Sequence, residues 1–143
     1  MEGLTLQKAF YDFLEEEGYK PELQEEEIYF HYKEATFAVE FYGNDPSFFR
    51  ISLRINWEHK TVEDKVKVYT AALYTNAETK LAKICIVDRE DLIIIVADAL
   101  TMVSNEAIKE RPAAFKSYFD RLFASVINTI GIFNDYYSKV DKA

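Results

Sequence analysis

Histidine and cysteine are nearly absent from this chain, and the shortage excludes more chemistry than any residue present invites. A structural or catalytic zinc site draws on three or four Cys, His or carboxylate ligands in paired spacings, and the nitrogen and sulfur donors here are His31, His59 and Cys85 alone. No metal and no cofactor is therefore expected. Asp88, Glu90 and Asp91 crowd one turn, but the spacing and the glycine of an EF-hand loop are missing, which leaves a solvated turn. Cys85 has no second cysteine to pair with and no histidine beside it in sequence to activate it; in an apolar strand it reads as a small buried hydrophobe. A reducing compartment fits. Glycine is scarce as well: Gly3, Gly18, Gly43 and Gly131 stand alone, so there is no glycine-rich phosphate loop. With 4 Gly and 3 Pro the chain has little material for a flexible linker. Its longest apolar run, Leu92 to Ala97, is far too short to cross a bilayer. At the amino terminus Glu2, Gln7 and Asp12 interrupt the apolar positions, unlike a secretory signal. A cytoplasmic protein is the expectation.

What the chain has in quantity is acid and aromatic side chains. Its 143 residues suit one domain over 1–143 with a single core. The formal net charge is -8, with acidic runs at Glu15 to Glu17 and Glu25 to Glu27, so phosphate backbones are repelled and nucleic-acid binding is disfavoured. The aromatics number 11 Phe, 10 Tyr and 1 Trp, more than one face of each predicted element needs for its core.

Periodicity orders these residues into elements. Leu6, Phe10, Phe13 and Leu14 share one face of a helix over about Thr5 to Glu17, with Thr5 as N-cap and Gly18 as the stop. After Pro21, Ile28, Phe30 and Tyr32 alternate with Tyr29 and His31, and Lys33 to Ala35 form a hairpin loop. Phe37, Val39 and Phe41 mark the next strand, before Gly43-Asn44-Asp45-Pro46 breaks the chain. The clearest signal is the third strand, where Phe49, Ile51, Leu53, Ile55 and Trp57 alternate with Arg50, Ser52, Arg54 and Asn56. Thr61 caps a second helix whose buried stripe is expected along Val62, Val66, Tyr69, Leu73 and Ala77. Two strands follow, Ala82 to Val87 and Leu92 to Leu100; the second, apolar at every position from Leu92 to Val96, belongs at the centre of a sheet or is covered on both faces. A long helix, about Pro112 to Tyr137, presents Phe115, Phe119, Leu122, Val126, Ile130 and Phe133. Its natural seat is the sheet face of Phe49 to Trp57, and Trp57→Ala is then expected to cost roughly 3 to 5 kcal/mol.

The resulting order, α-β-β-β-α-β-β-α, is an α+β domain with helices packed on an antiparallel five-stranded sheet. With its aromatic first hairpin and Asn76 near the end of the middle helix, it resembles the YbjN-like family of candidate bacterial sensory transduction regulators, whose fold is that of type III secretion chaperones. The resemblance runs from Phe10-Tyr11-Asp12-Phe13-Leu14 and Gly18-Tyr19 through Asn76-Ala77 and Lys83-Ile84 to the final helix, and fits least over Ser104 to Arg111. It implies a small, acidic, often dimeric bacterial protein that works by contacting other proteins, and it supplies no catalytic motif.

Two surfaces are singled out. Tyr29, Tyr42 and Phe48 fall on strand faces opposite the expected core, with His31, Arg50 and Arg54 on the open side, a mixture typical of contact surfaces and equally of cross-strand pairs on a solvated sheet. Val68, Ala71 and Ala72 widen the apolar stripe of the middle helix and mark a homodimer surface, because three helices are few to cover the sheet. The leading expectation is a non-enzymatic protein-binding or regulatory module that contacts another protein. An acidic immunity-type protein neutralising a toxin is the alternative, and a small enzyme built on His31 or His59 a lesser one.

Overall fold

The computed structural model describes residues 2–142 apart from 45, 46, 59, 60, 90 and 91. His59, Glu90, Asp91 and half of the Gly43 to Pro46 break therefore lie outside the described residues. In chain order the elements are α1 (Glu2–Glu16), β1 (Glu22–Gln24), β2 (Glu27–Tyr32), β3 (Ala35–Phe41), β4 (Phe48–Glu58), α2 (Val62–Glu78), β5 (Lys83–Asp88), β6 (Leu92–Met102), α3 (Asn105–Glu110) and α4 (Pro112–Lys142). The strands form one 6-stranded sheet in the order β1-β2-β3-β4-β6-β5. This is the expected α+β fold with one strand more. β1 has three residues, all exposed, too few to show an alternation. α3 is the other addition: Ser104 accepts a hydrogen bond from the Ala107 N–H, and the six-residue helix it caps fills the stretch that fitted the resemblance least.

The chain groups into two compact units, Met1–Ser52 with Leu100–Phe123, and Leu53–Ala99 with Ala124–Ala143. The first is organised around phenylalanine. Phe10 of α1 is fully buried, with ring centroids of Phe49 at 5.0 Å, Phe115 at 5.4 Å, Phe41 at 5.7 Å and Phe119 at 5.7 Å. Phe30 and Phe37 stack across β2 and β3, and Phe123 lies 4.7 Å from Phe37. Rings at these separations and mostly edge-on angles gain beyond their burial alone. α1 begins before Thr5, which therefore lies inside the helix and not at its N-cap position. The stop falls where expected: Gly18 has φ 88°, its N–H bonds to Glu15 C=O, and the Tyr19 N–H bonds to Leu14 C=O, the paired closure that favours glycine. Gln7, buried on the same helix, donates to Glu25 C=O at 2.8 Å and so fixes the loop ahead of β2.

In the second unit, Thr61 caps α2 by accepting from the Asp64 N–H at 3.1 Å. The face that α2 buries is the reverse of the one expected. Val68, Ala71, Ala72 and Thr75 are buried, while Val62, Val66, Tyr69 and Leu73 are exposed. Alanine and threonine let the helix backbone approach its support closely, and the larger side chains are left outside. Val68, Ala71 and Ala72 are thereby corrected from a dimer surface to core. Trp57 is half-buried, 4.8 Å from the Tyr137 ring, and Tyr74 stacks on Tyr136. β5 pairs antiparallel with β6 and ends the sheet, which places Cys85 on an exposed position of an edge strand; the expectation of a buried thiol fails because sequence does not say which strand is last.

Candidate functional site

β-strand alternation puts Glu40 of β3 and Phe48 and Arg50 of β4 on the face opposite the phenylalanine core, where the buried set is Phe37, Val39, Phe41, Phe49 and Ile51, and Tyr42 follows directly on the end of β3. With Asn44 and Leu100, these four line an open cleft of about 440 Å³ in the first unit. Three of the residues singled out in sequence, Tyr42, Phe48 and Arg50, are thus brought together. Leu100, 49% exposed, joins them from a strand that was expected at the centre of the sheet or covered on both faces. The cleft offers aromatic and aliphatic surface beside one cation and one carboxylate, a composition suited to another protein's side chains.

The remaining members are placed differently. Tyr29 is half-buried on β2, and its hydroxyl donates to the Glu27 carboxylate. His31 is exposed near the far end of that strand, where its Nδ1 shares a 3.1 Å hydrogen bond with the Thr36 hydroxyl. Neither lines the cleft. Arg54 is exposed on β4 in the second unit. Among the described residues the His31 ring meets the Thr36 hydroxyl and not a carboxylate, which is not the arrangement of an imidazole held by an acid. Among the described residues no group of three or more His, Cys, Asp or Glu is placed to hold a metal ion. No helix among them is long and apolar enough to cross a membrane.

Sequence reasoning missed the most exposed apolar feature, the outer face of α2. Val62 is 78%, Val66 57%, Tyr69 43% and Leu73 70% exposed. Their spacing was visible, but a stripe of large residues is ordinarily the inward one. Beside it, Asp88 at the end of β5 accepts from the Tyr69 hydroxyl at 3.1 Å and pairs with Lys65 at 3.2 Å. Partial burial holds the Tyr69 phenol above its ordinary value, and the Asp88 carboxylate adds to the shift. Asp88 is therefore engaged with α2. At the other end of α2, Asn76 and Lys83 tie the helix to β5.

No protein-family model matches the chain, and no curated protein sequence matches it significantly. Solved structures do. YbjN from E. coli, described as a candidate transcription regulator, superposes with a TM-score of 0.60 over 85% of this chain and 87% of its own, at 12% identity. The fold is that of YbjN. An uncharacterised protein from Methanothermobacter thermautotrophicus matches with a TM-score of 0.59 over 92% of this chain and 99% of its own, at 11% identity. Identities this low carry the YbjN fold and no residue correspondence, so neither the cleft nor the α2 stripe is transferred from these proteins.

Proposed function

We propose that the chain is a non-enzymatic, cytoplasmic protein-binding module that works as a homodimer, paired through α2 and contacting another protein through the Tyr42–Phe48–Arg50 cleft. The observation that carries this reading is the exposed stripe Val62, Val66, Tyr69 and Leu73. Its steps of four, three and four residues are the seam spacing of a helix that packs on a second helix. A second copy is the occupant that fits. Between Asp64 and Glu78 the only charged residues of α2 are Lys65 and Lys67, so this is a stretch of the acidic chain without carboxylates. Two copies in antiparallel alignment set Val66 against Tyr69 and Val62 against Leu73, with the helix dipoles opposed.

Sedimentation equilibrium at micromolar concentration tests the dimer against a 16.7 kDa protomer. The wild type is expected at twice that mass, and Leu73→Glu at the protomer mass with its folded spectrum retained, because Leu73 is exposed. Ala72→Glu is no substitute, since it buries a carboxylate. A wild type found only as protomer rejects the pairing. For the cleft, crosslinking from the native host is expected to recover a partner lost with Phe48→Ala and kept with Leu73→Glu.

A second reading rests on the net charge of -8: an acidic protein that neutralises a basic toxin. It predicts a cationic partner, and the dependence of binding on salt separates it from the first.

A further inference from the structure

β5 is an edge strand of a kind that attracts other strands, since Ile84-Cys85-Ile86-Val87 is apolar and mostly β-branched with no proline. The turn that follows fixes which of its backbone groups face the edge. The Arg89 N–H donates to Leu92 C=O at 2.8 Å and the Leu92 N–H returns the bond to Arg89 C=O at 3.4 Å, so these two form a hydrogen-bonded pair. Bonded and non-bonded pairs alternate along an antiparallel ladder. Counting back through Asp88↔Ile93, Ile86↔Ile95 and Ile84↔Ala97, the amides of Asp88, Ile86 and Ile84 turn away from β6 toward the open edge.

Ile84 fits this count independently, because both of its backbone groups are taken by one side chain of α2. Its N–H donates to Asn76 Oδ1 at 2.7 Å, and Asn76 Nδ2 donates to its C=O at 2.9 Å. A carboxamide carries a donor and an acceptor on one planar group, as a peptide does. Asn76 thus stands where a residue of a seventh strand would stand. Lys83 holds it there: its Nζ donates to Asn76 C=O at 2.9 Å and to Thr79 C=O, closing the end of a helix that has no basic residue in its own last turn.

We propose that Asn76 is an edge stop, which fills the first pairing position of β5 with a side chain and so keeps the strand from accepting another chain. With the Ile84 position filled, the ladder that an incoming strand could use begins at Ile86 and ends with the strand at Asp88, too short to hold a partner. The stop acts on strand pairing and stands whether or not α2 pairs with a second copy. Amide hydrogen exchange in the wild type tests it first. Ile84 is expected to exchange at least about tenfold more slowly than Ile86, the difference that one net hydrogen bond makes. Equal rates overturn the proposal, whether both are fast, so that Asn76 does not hold the edge, or both are slow because a strand has added there. In a Leu73→Glu background, which removes the helix route, Asn76→Ala is expected to speed Ile84 exchange about tenfold and to form species that grow with concentration. A folded Asn76→Ala that stays at the protomer mass overturns it. Should that variant not fold, Asn76→Asp decides: it keeps the acceptor for the Ile84 N–H but sets a carboxylate against the C=O, and must associate more than its background.

Discussion

Phe10 and Trp57 show how differently two aromatic residues of one chain are used. Phe10 is wholly buried among four other phenylalanine rings within 5.7 Å, so truncating it leaves a cavity that its neighbours cannot close together. Phe10→Ala is expected to cost about 3 to 5 kcal/mol in urea unfolding. Trp57 was expected to cost as much, but it is half-buried against Tyr137, and Trp57→Ala should cost about 2 kcal/mol, in proportion to the area it hides. Equal losses at the two positions would show that Trp57 is more enclosed than the Tyr137 contact implies. Tyr69 adds a pH dependence. Its phenol is held above the ordinary value of 10.0 by partial burial first and by the bond to Asp88 second. An acid whose folded value is raised keeps its proton in the folded state where the unfolded chain has released it. The contribution is therefore complete below the ordinary tyrosine value and is lost as pH rises through the folded one. Alkaline unfolding of the wild type should begin at lower pH than that of Tyr69→Phe, once both are referred to their own stability at neutral pH. Coincident profiles would mean that folding does not raise the phenol, by burial or by Asp88.

Elements with one unambiguous apolar face were legible from sequence, and elements with two were not. β4 and α4 each set large residues on a single side, and the structure buries Phe49, Ile51 and Leu53 on one and Phe115, Phe119, Leu122, Val126 and Phe133 on the other. α2 offers two stripes, one of large residues through Val62 and Leu73 and one of small residues through Ala71 and Thr75. Hydrophobicity favours the first, and close backbone approach favoured the second. Nothing in the sequence weighs one against the other. The two short elements failed for want of length: β1 has three residues and α3 six, less than two turns. The candidate cleft was half legible, because alternation fixes which side of a strand Tyr42, Phe48 and Arg50 occupy, while their gathering with Leu100 depends on strand order. Strand order also decided Cys85, whose alternation was readable but whose exposure follows from β5 being last in the sheet.

At the scale of the whole molecule the net charge of -8 gives the two proposed readings of function opposite salt dependences. Two copies that pair through α2 bring like net charges together, and the stretch of α2 between Asp64 and Glu78, which has lysines and no carboxylate of its own, lowers that repulsion without removing it, since Asp88 stands against Tyr69. Raising ionic strength shortens the Debye length to about 10 Å at 0.1 M and about 3 Å at 1 M, which screens repulsion between the outlying carboxylates while leaving the apolar seam intact. The homodimer should therefore tighten with salt, its Kd falling several-fold between low and physiological ionic strength. A complex with a basic toxin has the opposite dependence, because there the net charges attract and screening weakens them. Sedimentation of the chain alone across a salt series reads the first case directly. A self-association that weakens steadily with added salt would place its main contacts on paired charges and reject the Val62, Val66, Tyr69 and Leu73 seam, whose apolar contacts salt does not screen.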